Sequence, residues 1–162
     1  MRNYNNIEKL YDIYSKSLYF TSLRIIGNNF DAQEVMQDTF IKYYNITNKD
    51  KIENPGHWLK SVCIRSSIDK LREKNREKIF LEEYANNAPE TKMNESDINY
   101  SVEKIKQALN NLPDNYRVIL SLILFEGYDY NEISQITGLK EVTIRSQYLR
   151  GKQKLIKTIS NE

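Results

Sequence analysis

The chain contains few of the residues that cross-link a protein, bend it or bind metals. Its 162 residues include one cysteine, Cys63, and one histidine, His57, which excludes an internal disulfide framework and a cysteine-based zinc site. Three prolines and five glycines favour long helices. No apolar run approaches the ~18 residues of a membrane span, and the first residues lack the apolar stretch of a signal peptide. We therefore expect a cytoplasmic protein without membrane insertion.

Signatures of common enzyme classes are also missing from the sequence. We find no glycine-rich nucleotide loop, no catalytic carboxylate pair on one face and no nucleophile beside a base. His57 and Cys63 have no orienting group or metal ligand near them in the sequence, so we interpret both as structural. The expectation is a protein that is not an enzyme, needs no cofactor or metal, and takes no small-molecule substrate.

Apolar periodicity predicts three helices in the first half of the chain. One runs from about Ile7 to Ile26, and a second is predicted to start at Asp31, where Asp31-Ala32-Gln33-Glu34 has the form of a capping box. Asn54-Pro55 is typical of a third helix start, and that helix ends in a basic stretch. Residues 45–54 between the second and third helices are polar and predict a loop.

The composition changes after the third helix. Residues 82–103 carry six acidic residues and one basic residue, and Asn86-Asn87-Ala88-Pro89 interrupts any periodicity. Ser101 is a good N-cap for the next helix. We predict an all-α fold of two small helical domains, 1–80 and 101–162, joined by a flexible linker at 81–100.

Residues 130–158 predict a helix-turn-helix, the arrangement of many DNA-reading domains. A short helix is followed by Gly138, a residue that tolerates the positive φ of a tight turn, and a longer helix opens at Val142. At ~100° per residue, the long helix places Ile144, Gly151 and Leu155 on one side and basic residues on the other.

Charge on the long helix is compatible with two interpretations. From residue 140 to 157 there are six basic residues and one acidic residue, as a helix in a DNA major groove requires. A plain surface helix of a bundle could carry the same charges. The glycine turn favours DNA reading, and so does Leu149 on the outer side, since a leucine gains nothing by facing water.

The second half of the chain resembles region four of the extracytoplasmic-function (ECF) sigma factors of RNA polymerase. The similar runs are Leu112-Pro113-Asp114-Asn115-Tyr116-Arg117, then Gly127-Tyr128-Asp129-Tyr130-Asn131-Glu132-Ile133, then Thr143-Ile144-Arg145-Ser146. The first half resembles region two of the same family. Its similar runs are Asp31-Ala32-Gln33-Glu34-Val35-Met36-Gln37-Asp38-Thr39-Phe40, then Trp58-Leu59, then Ile68-Asp69-Lys70-Leu71-Arg72. Together these runs occur in the family's order across about residues 6–158.

The resemblance implies two helical domains that bind core RNA polymerase and promoter DNA. The last helix would read the minus-thirty-five element through Thr143, Arg145, Ser146, Leu149, Arg150 and Lys154. The loop and the third helix would bind the minus-ten element through Asn45, Thr47, Asn48, Lys49, Lys60, Arg65 and Arg72. The second helix would dock on core polymerase through Asp31, Glu34, Gln37 and Asp38. An anti-sigma factor is a common partner in the family, and the sequence leaves open whether this chain has one.

One position departs from the family pattern. Seven residues after Trp58 the family often has an asparagine that helps to bind the melted strand, and this chain has Arg65. A conventional helix-turn-helix regulator remains the alternative interpretation. Such a protein would use its N-terminal half to sense a ligand or to dimerise.

Overall fold

The computed structural model describes residues 2–82 and 102–160, with side chains described in 6–76 and 102–160. Within these ranges all regular structure is helical, which confirms the predicted all-α fold. None of the helices described is both long and apolar enough to cross a membrane. Contacts divide the chain into two units, Met1–Leu71 and Arg72–Glu162. The linker predicted at 81–100 lies outside the described residues apart from its first two positions, so its boundaries stay a prediction.

The helices occur along the chain in the predicted order. The described elements are α1 Arg2–Ile26, α2 Asn29–Tyr44, a 3-10 turn at Lys49–Lys51, α3 Pro55–Glu82, α4 Val102–Asn110, α5 Asp114–Leu124, α6 Tyr130–Thr137 and α7 Glu141–Ser160. The first unit holds α1, α2 and the part of α3 up to Leu71, whereas the second holds the end of α3 and α4 to α7.

Asparagine caps start two helices of the first unit. The α3 start agrees with the prediction, because the Asn54 side chain accepts a hydrogen bond from the His57 backbone N–H at 3.0 Å. The α2 start does not agree. Its N-cap is Asn28, whose side chain accepts from the Asp31 backbone N–H at 3.0 Å. The capping box predicted at Asp31 is therefore wrong, since Asp31 lies inside the first turn and is buried.

The core of the first unit combines apolar side chains with small polar ones. The Ser67 hydroxyl of α3 donates to the Cys63 carbonyl at 2.7 Å and lies 2.8 Å from the Ser22 hydroxyl of α1. The Cys63 thiol is fully buried and lies 3.5 Å from the Leu18 carbonyl oxygen. These small side chains occupy contacts between α1 and α3 where larger ones would hold the helices apart. The apolar part of the core consists of Leu10, Leu18, Ile25, Ile26, Ala32, Val35, Met36, Phe40, Tyr43, Leu59, Ile64, Ile68 and Leu71.

Helix α7 is the central element of the second unit, where it packs against α4, α5 and α6. Gly151 allows the close approach of α7 to α5, because a Cβ added there would lie 3.0 Å from the Tyr116 Cβ. At the start of α5, the buried Arg117 forms an ion pair with Asp114 at 2.8 Å and donates to the Leu112 carbonyl at 3.3 Å. One hydrophobic cluster joins α4, α5 and α7 through Ala108, Leu109, Leu112, Leu120, Leu155 and Ile159.

We expect Asn28→Ala to lower the free energy of unfolding of the first unit by about 1 kcal/mol, because the side-chain acceptor for the Asp31 N–H is lost. Trp58, the only tryptophan, lies in this unit, so its fluorescence during urea unfolding reports the change. Asn29→Ala is the matched control, since Asn29 is exposed in the first turn of the same helix. Equal losses in both variants would contradict the assignment of Asn28 as the cap.

Candidate nucleic-acid interface

The turn between α6 and α7 is fixed by local hydrogen bonds. Asp129 and Glu132 form a reciprocal capping box at the start of α6, with bonds of 2.8 and 2.9 Å. At the other end of α6, Gly138 has a φ of 75°, the left-handed conformation predicted for it. The Ser134 hydroxyl donates to the Leu139 carbonyl at 2.6 Å. These contacts confirm the predicted helix-turn-helix and fix the starting point of α7.

The two faces of α7 separate as the periodicity predicted. Its buried positions are Ile144, Gly151, Leu155 and Ile159. The opposite face is polar and basic, and Leu149 on it is 52% exposed. Among the residues predicted to contact the minus-thirty-five element, Arg145, Leu149, Arg150 and Lys154 are exposed, and Thr143 and Ser146 are half-buried. The six residues therefore lie on a single helix, on the faces that its core contacts leave uncovered.

Two cations of this face lie over aromatic rings. The Arg145 guanidinium lies 5.5 Å from the centre of the Tyr130 ring, at the first residue of α6. The Lys154 ammonium lies 5.3 Å from the centre of the Tyr116 ring of α5. Both distances are within the range in which a ring face attracts a cation. Each contact joins α7 to a different neighbouring helix, so spacing within α7 could not predict either one.

A shallow groove between α5 and α7 extends the basic face. Asn115 and Tyr116 line it from α5, and the α7 side is formed by Val142, Thr143, Ser146, Gln147 and Arg150. Three of the predicted residues are thus brought together with Asn115, which the sequence did not single out. Val142 is 76% exposed. Exposure of both Val142 and Leu149 on a basic face is consistent with contacts to the methyl groups of thymine.

Six of the seven predicted minus-ten residues belong to the first unit, where they lie in two places. Asn45, Thr47 and Asn48 are exposed in the loop after α2, whereas Lys60 and Arg65 lie on α3 and are half-buried and exposed, respectively. The loop contains a 3-10 turn, Lys49–Lys51, which the sequence did not predict. Lys49 Nζ donates to the Tyr44 carbonyl at 2.7 Å and lies 5.4 Å from the centre of the Tyr44 ring.

An aromatic pair lies beside this loop. The Tyr43 and Trp58 rings are 5.5 Å apart at a tilted angle, and Lys49 Nζ is 6.0 Å from the Tyr43 ring centre. Burial raises the pKa of the Tyr43 hydroxyl. Trp58 is half-buried.

Arg72 belongs to the second unit, apart from the other predicted minus-ten residues. Its guanidinium donates to the carbonyl of Thr137, the last residue of α6, at 2.7 Å. Near it on α3, Asn75 donates to the Asp114 carboxylate at 2.6 Å. The end of α3 is therefore anchored to the helices that follow it.

The predicted polymerase-docking residues of α2 are not all exposed. Glu34, Gln37 and Asp38 are exposed, but Asp31 is 8% exposed and lies 4.0 Å from Lys70. Lys70 also forms an ion pair with Glu34. Two large apolar residues that the sequence analysis missed, Phe30 and Ile41, are 78% and 55% exposed on the same helix. Helical periodicity, counted from the apolar stripe of Val35, Met36, Phe40 and Tyr43, could have placed both on the outer side of the helix.

The two residues interpreted as structural differ in their surroundings. Cys63 is fully buried in the core, whereas His57 is exposed in the first turn of α3. Among the described residues, no three histidine, cysteine or carboxylate side chains are grouped closely enough to hold a metal ion.

Comparison with known families and proteins assigns both halves of the chain. The family described as Sigma-70 region 2 matches residues 10–77, and the family described as Sigma-70, region 4 matches residues 102–155. ECF RNA polymerase sigma factor SigW of Bacillus subtilis is 27% identical over 160 residues, which cover 91% of this chain and 86% of SigW. SigM of the same organism is 25% identical over 153 residues, covering 92% of both chains.

Two further comparisons differ in how much they cover. ECF sigma factor SigE of Mycolicibacterium smegmatis is 27% identical over 88% of this chain, but the match spans only 57% of SigE. A solved structure, the sigma factor RpoE in complex with the anti-sigma factor NepR from Bartonella quintana, has a TM-score of 0.63 and 19% identity. It covers 96% of this chain and 97% of that one, and it supports the all-α fold.

We expect Arg145→Ala and Lys154→Ala to differ in kind. Loss of a bidentate arginine–guanine pair should cost about 1–3 kcal/mol at one base pair and relax preference there. Lys154→Ala should weaken DNA binding about equally on all sequences. It should also lower by about 1 the magnitude of the slope of log binding constant against log salt concentration. Promoter variants measured at several salt concentrations distinguish the two effects. A uniform loss in both variants would mean that α7 only positions the domain.

Proposed function

Because this chain belongs to the extracytoplasmic-function sigma factors, we propose that it directs core RNA polymerase to specific promoters and assists promoter melting. The observation that carries the proposal is the fixed helix-turn-helix with an exposed basic face on α7. Such a helix fits the major groove, where arginine recognises guanine and lysine neutralises phosphate. The chain would contribute binding energy and no catalytic chemistry of its own, and it would act in the cytoplasm with the polymerase.

Recognition of the minus-thirty-five element is assigned to the exposed side of α7. Arg145 and Ser146 lie near the N-terminal end of the helix, which approaches base edges in helix-turn-helix proteins. Leu149 and Arg150 follow on the same side one turn later. Thr143 and Lys154 flank them at positions suited to phosphate contacts.

Recognition of the minus-ten element is assigned to the loop after α2 and to the exposed side of α3. The loop is short and lies between two helices with capped starts, so its exposed polar residues are held on a rigid scaffold. Lys60 and Arg65 would hold the DNA backbone by phosphate contacts. Arg72 would add to them only after releasing the Thr137 carbonyl.

Docking on core polymerase is assigned to the exposed face of α2. Gln37 and Asp38 give this face polar contacts, and the exposed Phe30 and Ile41 provide apolar area of the kind that anchors protein interfaces. Asp31 would act from below this face, by holding Lys70 near Glu34.

The comparisons bear on a further partner and on the alternative function. The Bartonella quintana sigma factor of similar fold was solved with an anti-sigma factor, and a protein of that class is a candidate partner for this chain too. The alternative of a helix-turn-helix regulator needs a sensing pocket or a dimer seam in the first unit. The polar docking face of α2 and the family matches favour the sigma factor instead.

In vitro transcription tests the proposed function directly. Purified full-length chain and core polymerase are incubated with a library of promoter fragments, and the transcripts are sequenced. We expect initiation at a defined set of promoters that core polymerase alone does not use. Initiation that is the same with and without the chain would reject the sigma-factor function.

Asp38→Lys should weaken binding to core polymerase at least about tenfold, because a reversed charge in a complementary interface meets like charge. Asp38 is preferred to Glu34, which forms an ion pair with Lys70 and whose loss could disturb the fold. Asp12→Lys is the matched control, since it makes the same substitution at an exposed aspartate of α1. If both variants bind core polymerase as tightly as the parent, the docking face lies elsewhere.

A further inference from the structure

The contact between Arg145 and Tyr130 joins the two helices of the helix-turn-helix. Arg145 is exposed on α7, and Tyr130 is the half-buried first residue of α6. The guanidinium carbon lies 5.5 Å from the centre of the tyrosine ring. Tyr130 is itself held in place by Tyr148 of α7, whose ring centre is 6.3 Å away at a tilted angle. The Tyr130 ring therefore contacts both Tyr148 and the exposed Arg145.

A contact between a ring and a guanidinium can leave the DNA-reading atoms of the arginine free. The five N–H donors of a guanidinium point outward in its own plane, so a ring against one face does not occupy them. A lysine contact on a ring does not have this property, because the ammonium is a point charge without a plane. An arginine held by a ring can thus present both donors of a bidentate pair to the O6 and N7 atoms of guanine.

Holding the arginine in place matters because its free side chain samples many rotamers. Binding a base requires one of them, and the conformational freedom lost at that moment weakens the complex. A side chain already ordered against a ring loses less of this freedom on binding. The gain applies only where Arg145 meets its base, so it increases discrimination between sequences more than general affinity.

We propose that Tyr130 is a positioning residue for base recognition, which orders the Arg145 guanidinium for reading one base pair of the minus-thirty-five element. This inference rests on the proposed function, in which Arg145 contacts a base edge. It adds a specificity determinant on α6, the helix that precedes the recognition helix. Tyr130 acts through Arg145, and its ring carries the effect while its hydroxyl does not.

The test uses the full chain bound to core polymerase, transcribing a promoter library in which the minus-thirty-five element is randomised. Four variants are compared with the parent: Tyr130→Leu, Tyr130→Phe, Arg145→Ala and the double variant Tyr130→Leu/Arg145→Ala. The readout is the ratio of transcripts from the preferred and the other base pairs at the position that Arg145→Ala affects. Thermal unfolding of each variant is measured in parallel.

Tyr130→Leu should lower this ratio about two- to fivefold, the range expected for an exposed cation–ring contact. Tyr130→Phe should keep the ratio of the parent, since the ring remains. In the Arg145→Ala background, Tyr130→Leu should change the ratio no further, because the side chain that it positions is absent. Leucine retains apolar contact with Tyr148, so folding is preserved enough for the ratios to be read.

Three results would overturn the inference. An equal loss of transcription from all promoters in Tyr130→Leu, repeated in the Arg145→Ala background, would show that Tyr130 serves only packing. A loss in Tyr130→Phe as large as in Tyr130→Leu would assign the effect to the hydroxyl. An unchanged base preference in Arg145→Ala would overturn the role of Arg145 itself, and the positioning role with it. Promoter-specific transcription by the parent chain separates all three from failure of the proposed sigma-factor function.

Discussion

Burial of one face of α7 is the constraint on which the second unit depends. Ile144, Leu155 and Ile159 are each buried, and side chains of this size contribute about 1.5–3 kcal/mol apiece when removed from water. Exposed cation contacts on the other side contribute about 0–1 kcal/mol each. Burial of the apolar face therefore fixes the rotation of α7 about its own axis. The basic face is exposed as a result. Gly151 brings α7 close enough to α5 for Asn115 and Tyr116 to line the same groove.

The helix-turn-helix and most helix ends could be predicted from sequence because they depend on local chemistry. Asn54-Pro55 and Gly138 set their boundaries through their own side chains or backbone freedom. The error at α2 shows where local patterns stop being sufficient. Asp31 and Glu34 have the same spacing as Asp129 and Glu132, yet only the second pair forms a capping box. Packing of Asp31 inside the first turn, and a competing asparagine three residues earlier, decided the outcome.

For the candidate interface, the exposed positions of α7 followed from helical periodicity alone. The contacts that organise those positions did not, because each joins residues on different helices. The contact of Arg145 with the Tyr130 ring depends on the angle between α6 and α7, and the position of Lys154 over Tyr116 depends on the approach of α5. The burial of Asp31 likewise depends on how α2 packs, although its neighbours Glu34 and Asp38 are exposed as expected.

The paired hydroxyls of Ser22 and Ser67 have a consequence for how this family of sequences can diverge. Both side chains are fully buried, 45 positions apart in the chain, with their oxygens 2.8 Å from each other. Removing the Ser67 hydroxyl deprives Ser22 of this partner, and a buried polar group that loses a partner costs about 1–3 kcal/mol. Removing the Ser22 hydroxyl costs less, because Ser67 keeps its bond to the Cys63 carbonyl. Replacing both by alanine at once can be nearly neutral. Across diverging lineages, loss of the hydroxyl at position 67 should therefore be accompanied by an apolar residue at position 22, whereas an apolar residue at position 22 does not require one at position 67.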